Sequence, residues 1–184
     1  MSIKPVLLAI VIIPIIGLIG LLSWAIYQSS DNPSGFLINN QFGQLDIETK
    51  DAPAFALNTI DGEVVNLSDS QGKIVMIDFW STWCPPCRTE APVLSEAYEL
   101  YHSKNVEFIG IAIWDRNEDV QLFIDTHKIA YPNGLDSTGE IAIDYGVRGI
   151  PEKYFIDKQG RISHKISGPM DRDALHDILD DLIK

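Results

Sequence analysis

The longest apolar stretch of the chain lies at its amino terminus. Val6 to Tyr27 is almost wholly apolar, and no charged side chain occurs between Lys4 and Asp31. About 20 helical residues are enough to cross the hydrocarbon core of a membrane. Residues 1–30 are therefore predicted to be a signal anchor that forms a single transmembrane helix.

A cleaved signal peptide is the alternative for this segment. Ser23-Trp24-Ala25 loosely fits the small-x-small pattern of a cleavage site. Secretory apolar regions usually span about 7–15 residues, however, which is shorter than this one. In both cases Lys4 is expected to remain in the cytoplasm, because positive charges stay on that side. The rest of the chain is therefore predicted to be extracytoplasmic, in the periplasm or on the outer face of the membrane.

The pattern changes after the apolar stretch. Residues 31–50 show no sustained period and are rich in Ser, Asn, Gln and Gly, which predicts a tether. The folded domain is expected over residues 51–184. At its start, apolar positions on either side of Asp61-Gly62 predict a β-hairpin. The near-continuous apolar run from Lys73 to Trp80 then predicts a strand that is buried on both faces.

Strand and helix patterns alternate along the remainder of the domain. Helical spacing of apolar residues predicts helices over Arg88–His102 and Asn117–Lys128, with a buried strand at Val106–Trp114 between them. The pattern continues with a short strand near Tyr131–Leu135, a helical turn near Glu140–Tyr145, a hairpin of Lys153–Ile156 and Arg161–Ile166, and a last helix capped by Asp171. This order is typical of an α/β domain, a mixed sheet with helices on both faces.

The charge of the chain excludes one class of partner. The formal net charge is −12, with 14 Lys and Arg against 26 Asp and Glu, and no run of basic residues occurs. Binding of nucleic-acid phosphates requires a concentrated basic surface. No nucleic-acid partner is therefore expected, and the acidic residues are interpreted as a solvated surface.

The only two cysteines, Cys84 and Cys87, stand where the predicted strand leads into a helix. The dipole and unpaired N–H groups of a helix N-terminus favour the thiolate, which is the form that attacks disulfides. Cys84 is placed to attack, and Cys87 to resolve the mixed disulfide, while Pro85 and Pro86 fix the backbone between them. We therefore predict a redox-active dithiol that stores two electrons and needs no cofactor.

A zinc site is the main alternative for this cysteine spacing. Structural zinc normally has four ligands, and only two sulfurs are present. The histidines are scattered without ligand spacing and are interpreted as surface side chains: His102, His127, His164 and His176. No metal is therefore predicted.

These motifs resemble the thioredoxin superfamily. The resemblance is carried by IDFWSTWCPPC, by Pro92 and by GIP around Pro151. More narrowly, PAFALNTIDGEVVNLSDSQGK, GIPEKYFIDKQG and the N-terminal anchor resemble the TlpA/ResA/CcmG (DsbE) group of membrane-tethered proteins. The resemblance covers residues 51–184. It implies a thioredoxin-like mixed sheet flanked by helices, with an N-terminal β-hairpin extension.

The same resemblance implies a surface that binds clients. Trp83 is expected to flank the exposed sulfur of the attacking cysteine, and Pro151 to be a cis-proline that faces the dithiol. A cis turn would leave the backbone N–H and C=O of Ile150 free to pair with an extended client segment. Glu152 matches the Pro-Glu pair of CcmG-like sequences and is expected near the client groove. An exposed strand start is the alternative for Glu152.

Two other carboxylates lie close to the dithiol in the sequence. Asp78 stands within the buried strand, where a charge is costly unless it is paired or protonated. It matches the buried acid of thioredoxin, which implies a proton acceptor for the resolving cysteine, although the TlpA/ResA/CcmG group often has Asn there. Glu90 shares the helix face of Cys87, and in ResA-like proteins such a glutamate tunes the dithiol. The alternatives are a solvated strand end for Asp78 and an ordinary first-turn residue for Glu90.

The sequence thus predicts an extracytoplasmic thiol–disulfide oxidoreductase that reduces client disulfides. The resemblance implies cytochrome c maturation as the process and a membrane-bound electron donor as a partner. A disulfide-donating oxidant is an alternative, because the direction depends on the reduction potential. A tethered binding module without turnover is a second alternative, although it would not need both cysteines. A peroxiredoxin would carry a Pro-Thr-Cys signature, which this sequence lacks.

Overall fold

The computed structural model describes residues 3–29, 43–45 and 47–184, and the chain divides into two units, Met1–Gly35 and Phe36–Lys184. The first unit contains helix α1 (Ile3–Ser29). The side chains of α1 that the structure describes are those of Ile10 and residues 12–24. Within the described residues, no helix is long and apolar enough to cross a membrane. The signal anchor stays a prediction.

The second unit contains the remaining elements. They are β1 (Gly43–Leu45), β2 (Lys50–Asp51), β3 (Ala56–Asn58), β4 (Val64–Asn66), β5 (Ile74–Trp80), α2 (Pro85–Tyr101), β6 (Val106–Ile113), α3 (Asn117–His127), β7 (Asn133–Asp136), α4 (Glu140–Tyr145), β8 (Glu152–Ile156), β9 (Arg161–Ser167) and α5 (Arg172–Ile183). Short 3₁₀ turns follow β4 and α2. The predicted order of strands and helices is confirmed.

The main sheet is mixed and has the strand order β1-β9-β8-β5-β6-β7, with β2 also paired to β9. Strands β5, β6 and β7 are parallel, whereas β8 and β9 run antiparallel to their neighbours. Every residue of β5 is buried, because this strand lies in the middle of the sheet with helices over both faces. That position explains its near-continuous apolar sequence.

The predicted tether of residues 31–50 extends too far. Gly43–Leu45 and Lys50–Asp51 pair with β9 and so belong to the sheet. The outer edge of β9 offers unpaired backbone groups, and these two short segments satisfy them. Strands of three and two residues are too short to show an alternating pattern in the sequence. The rest of the predicted tether lies partly outside the described residues, at 31–42 and 46.

The predicted N-terminal hairpin forms a separate two-stranded sheet of β3 and β4. A bridge between Thr59 and Gly134 connects it to the end of the main sheet. A Cβ atom on Gly134 would lie 2.4 Å from the carbonyl oxygen of Asn58, so this approach requires glycine. The hairpin is therefore fixed next to β7.

Hydrophobic residues pack into two clusters. One includes Leu94 of α2 and Leu175 and Leu179 of α5. The other includes Phe79, together with residues of α3 and α4, the disulfide and Ile150. The predicted arrangement of helices on both faces is thus confirmed.

Candidate active site

The dithiol occupies the first turn of α2, directly after the loop that follows β5. Cys84 is the N-cap residue, and its Sγ accepts a hydrogen bond from the backbone N–H of Cys87 at 3.3 Å. A disulfide joins the two cysteines. Pro85 and Pro86 fill the first helical positions, where their missing N–H groups leave no helical bond unmade. The predicted position of the cysteines at a helix start is confirmed.

The expectation of an exposed attacking sulfur is wrong for this oxidised form. Cys84 is 0% exposed, because the disulfide packs in the hydrophobic cluster that also contains Trp80 and Ile150. Trp83 next to it is 42% exposed. A thiol from another protein can reach Cys84 only when neighbouring atoms move aside.

The loop before the cysteines is held by the end of β6. The carboxylate of Asp115 accepts the backbone N–H of Thr82 at 2.6 Å and its hydroxyl at 3.0 Å. The indole N–H of Trp83 donates to the carbonyl oxygen of Trp114 at 2.9 Å. The sequence analysis missed Asp115. Its position directly after a strand parallel to β5 was the available signal, because the carboxyl ends of parallel strands meet at one edge.

The peptide bond between Ile150 and Pro151 is cis, as the resemblance implied. Both residues are buried. The pairing of Ile150 with a client segment stays a prediction.

Glu152 is not an exposed strand start, because it is only 1% exposed. Its carboxylate lies 3.0 Å from Nζ of Lys165 and 3.1 Å from the hydroxyl of Tyr154, and it accepts the backbone N–H of Arg148 at 3.4 Å. These contacts attach the loop that leads to Pro151 to the sheet. The carboxylate faces the protein interior, so a role of Glu152 in client binding stays a prediction.

Asp78, Glu90 and Lys153 form a second buried cluster, which we call the acid–lysine cluster. They are 3%, 3% and 0% exposed. Asp78 and Lys153 are directly paired across β5 and β8, and Nζ of Lys153 lies 3.8 Å from Oδ1 of Asp78. The same ammonium donates to Oε1 of Glu90 and, at 3.2 Å, to the carbonyl oxygen of Gly168. The readings of Asp78 as a solvated strand end and of Glu90 as an ordinary first-turn residue are therefore wrong.

Burial changes the proton affinity of both carboxyls. It raises the pKa of Asp78 to about 7, with Glu90 contributing in the same direction and Lys153 opposing. Burial also raises the pKa of Glu90, against the attraction of Lys153 and a hydrogen bond from the backbone N–H of Met170 at 2.9 Å. The cluster therefore binds a proton near neutral pH.

Lys153 is a second residue near the site that the sequence analysis missed. The sequence predicts only that it belongs to a hairpin strand. A lysine that starts the otherwise apolar run KYFI was the available signal, because a buried ammonium requires an acid partner.

Comparison with known proteins identifies the family. The profile of the AhpC/TSA family matches residues 49–165. The chain belongs to this thioredoxin-fold family. The thiol-disulfide oxidoreductase ResA of Bacillus thuringiensis subsp. konkukian is 35% identical over 130 residues, which are 71% of this chain and 75% of that relative.

Solved structures agree with this family. A putative thiol:disulfide interchange protein DsbE from Chlorobium tepidum has a TM-score of 0.71 at 28% identity, over 75% of this chain and 99% of that one. A secreted Mycobacterium tuberculosis disulfide oxidoreductase homologous to E. coli DsbE has a TM-score of 0.64 at 28% identity, over 70% and 96% of the two chains. The predicted resemblance is confirmed, and the chain is a thiol–disulfide oxidoreductase of the ResA/DsbE type.

Proposed function

We propose that this oxidoreductase reduces disulfides of client proteins outside the cytoplasm. The observation that carries the proposal is Cys84 at the N-cap of α2, with its sulfur accepting the N–H of Cys87. In the reduced protein the same N–H and the helix dipole stabilise a Cys84 thiolate. That thiolate attacks a client disulfide, and Cys87 then releases the reduced client.

The electrostatics near the dithiol favour the reducing direction. Glu90 lies one turn beyond Cys87, and it shares a buried cluster with Asp78. In the described part of the chain, Lys153 is the cation that contacts both carboxylates. Above a pH of about 7, where Asp78 loses its proton, the cluster carries one net negative charge, which disfavours the cysteine thiolates and so destabilises the reduced form. A dithiol whose reduced form is destabilised has a low reduction potential and donates electrons.

The proposed clients are proteins with Cys-x-x-Cys disulfides, including apocytochrome c before haem attachment. The support is the likeness to proteins named ResA and DsbE and the notable match of the Pro-Glu pair at Pro151-Glu152. A membrane-bound donor returns electrons to the Cys84–Cys87 disulfide. The dithiol itself is the redox centre, so no cofactor is part of the proposal.

The proposed location follows from the amino terminus. A stretch without charges between Lys4 and Asp31 supports a signal anchor. Large apolar side chains of α1 are exposed, including Ile13 and Leu21, and such a surface is favourable in lipid. One relative by fold is described as secreted. We therefore propose an N-terminal anchor with the catalytic domain on the extracytoplasmic side.

Trapping tests the exchange chemistry. A Cys87→Ser variant should accumulate a mixed disulfide between Cys84 and an oxidised Cys-x-x-Cys-His peptide, visible on non-reducing gels and by mass spectrometry. A Cys84→Ser variant is the matched control and should form none. Absence of the adduct in the Cys87→Ser variant would overturn the mechanism.

The reduction potential tests the direction. Related dithiols span from about −270 mV for thioredoxin to about −120 mV for DsbA, a strong oxidant. Equilibration of the full chain with glutathione or dithiothreitol should give a value near the thioredoxin end. A value near that of DsbA would make the protein a disulfide donor instead.

Fractionation tests the location. The full-length protein expressed in its host should stay in the membrane fraction after alkaline washing, and added protease should digest its catalytic domain in intact spheroplasts. A protein of reduced mass in the soluble fraction would indicate a cleaved signal peptide. Protection from protease in spheroplasts would contradict the proposed location.

A further inference from the structure

The acid–lysine cluster contains more acids than bases. Asp78 and Glu90 share one cation, Lys153, and all three side chains are buried. With both carboxyls ionised the cluster would carry a net negative charge, and an uncompensated charge is costly in the protein interior. One bound proton makes the cluster neutral.

The contacts of the two carboxyls differ. Glu90 receives hydrogen bonds from Lys153 and from the backbone N–H of Met170, and both bonds favour its ionised form. Asp78 lies 3.8 Å from the ammonium, and its Oδ1 is buried without a hydrogen-bond partner among the described residues. The ionised form is therefore better stabilised on Glu90, which leaves the proton on Asp78.

We propose that Lys153 is a positioning residue of the exchange reaction: its ammonium contacts both carboxyls, keeps Glu90 ionised, and so makes Asp78 the carboxyl of the cluster that takes up and releases the proton. Lys153 acts on the reaction through the two carboxyls that its ammonium contacts. The proposal rests on the proposed function, and it adds Lys153 of β8 to the two carboxyls that the sequence predicted on β5 and α2.

The proton matters when Cys87 resolves a mixed disulfide. The Cys87 sulfur forms a bond to the Cys84 sulfur, the bond between Cys84 and the client sulfur breaks, and the client leaves as a thiolate. The Cys87 thiol proton passes to the ionised carboxyl of Asp78. The client is reduced by two electrons while the dithiol is oxidised to the disulfide. The fraction of ionised Asp78, which Lys153 controls, therefore sets the rate of this step.

Among the described residues, Asp78 interacts with Glu90 on α2 and with Lys153 on β8. It also interacts with Tyr131, which precedes β7. Burial raises the pKa of Tyr131 well above its ordinary value, so its phenol stays neutral. On the β6 side, the residue paired with Asp78 is Gly110, which has no side chain.

Carboxyl titration tests the proposal. The full chain, oxidised and with carbon-13 in the aspartate carboxyls, is titrated by NMR, and the Asp78 signal is assigned by its loss in Asp78→Asn. Lys153→Met removes the cation and should raise the Asp78 midpoint by at least about one pH unit, a tenfold change in proton affinity. Glu90→Gln removes the competing anion and should lower the midpoint by a similar amount.

Two matched substitutions on the other face of the sheet serve as controls. Lys165→Met and Glu152→Gln make the same chemical changes in the neighbouring ion pair and should leave the Asp78 midpoint within about 0.3 pH units, a twofold change in proton affinity. Opposite shifts in Lys153→Met and Glu90→Gln cannot arise from loosened packing alone. If Lys153→Met does not fold, the Asp78 midpoint in Glu90→Gln still tests the proposal. An unshifted or raised midpoint in that variant overturns the proposal.

The rate of resolution gives a second readout. Reduced protein is mixed with Ellman's reagent in a stopped-flow instrument, and release of the second thionitrobenzoate reports the attack by Cys87. Lys153→Met should slow this phase about fivefold at pH 7 for a one-unit rise of the midpoint, and its pH profile should shift upward. Failure of the Cys87→Ser trap would overturn the exchange function and leave the carboxyl titration intact, so the two failures are distinguishable.

Discussion

Glu152 and Lys153 are neighbours in the chain, but their side chains enter opposite faces of the sheet because alternate strand residues do so. Glu152 meets one cation, Lys165, and further hydrogen-bond donors, so its charge is balanced. Lys153 meets two carboxyls, and Oδ1 of Asp78 accepts no hydrogen bond among the described residues. The balanced pair attaches the Pro151 loop to the sheet, whereas the acid–lysine cluster binds a proton within the protein interior.

The largest effect is expected from removing the cation of the balanced pair. Lys165→Met leaves Glu152 buried without its partner and should lower the free energy of unfolding by about 3–5 kcal/mol. The double variant with Glu152→Gln should recover at least half of this loss. Urea unfolding of the full chain at pH 7 measures both. Equal midpoints for the single and double variants would mean that the charges are not coupled.

Removing a charge from the acid–lysine cluster should instead increase the stability of the protein. Folding raises the pKa of Asp78 from 3.8 to about 7, so the folded protein binds this proton more tightly than the unfolded chain. The carboxyl costs no stability below its unfolded pKa, and its cost grows as the pH rises from about 4 to about 7. Asp78→Asn should therefore stabilise the protein by about 2–4 kcal/mol at pH 8 and by almost nothing at pH 4.

Urea midpoints at the two pH values measure this difference. Glu152→Gln is the matched control, because it neutralises a carboxyl whose charge is balanced and should destabilise the protein at pH 8. A stabilisation by Asp78→Asn that is equal at both pH values would point to packing and not to the proton.

The hydroxyl of Tyr154 allows a smaller change next to the Glu152–Lys165 pair. The hydroxyl of Tyr154 lies 2.8 Å from the carbonyl oxygen of Tyr145 and 3.1 Å from the Glu152 carboxylate. Tyr154→Phe should lower the free energy of unfolding by about 1–2 kcal/mol, because a buried acceptor loses its donor. Thermal unfolding checks the size. The Asp78 titration should be unmoved, and a shift there would show that the two faces are coupled.

The smallest effect is expected for an exposed ion pair. Arg172 of α5 contacts Glu96 of α2, and both side chains are about half exposed. Arg172→Ala should cost less than about 1 kcal/mol, and the cost should fall in high salt. Unfolding at two salt concentrations tests this. If Arg172→Ala lowered the free energy of unfolding as much as Lys165→Met, burial would not explain why buried and exposed ion pairs differ.

Most elements of the fold could be predicted from the sequence because their signals are local. The apolar run of β5, the helical period after Cys84 and the cap at Asp171 each depend on a few adjacent residues. The edge strands β1 and β2 could not be predicted, because two or three residues have no readable period. They exist only because β9 has an open edge to pair with.

In the candidate active site, too, the features with local sequence signals could be predicted and those that depend on distant residues could not. Cys84 and Cys87 were predicted from spacing and from their place at a helix start, both of which are local. The burial of Cys84 was missed because it depends on Ile150 and on packing from distant parts of the chain. Lys153 was missed for the same reason, since its two acid partners lie 75 and 63 residues away in sequence.

The sequence by itself determined the α/β class, the dithiol at the start of a helix and the family to which it belongs. Periodicity, capping and motif spacing are properties of neighbouring residues, and these are present before the chain folds. Only the tertiary structure decided the partners of each buried charge. Strand pairing and helix packing set which side chains meet in the interior. They place Lys165 against Glu152, and both Asp78 and Glu90 against Lys153.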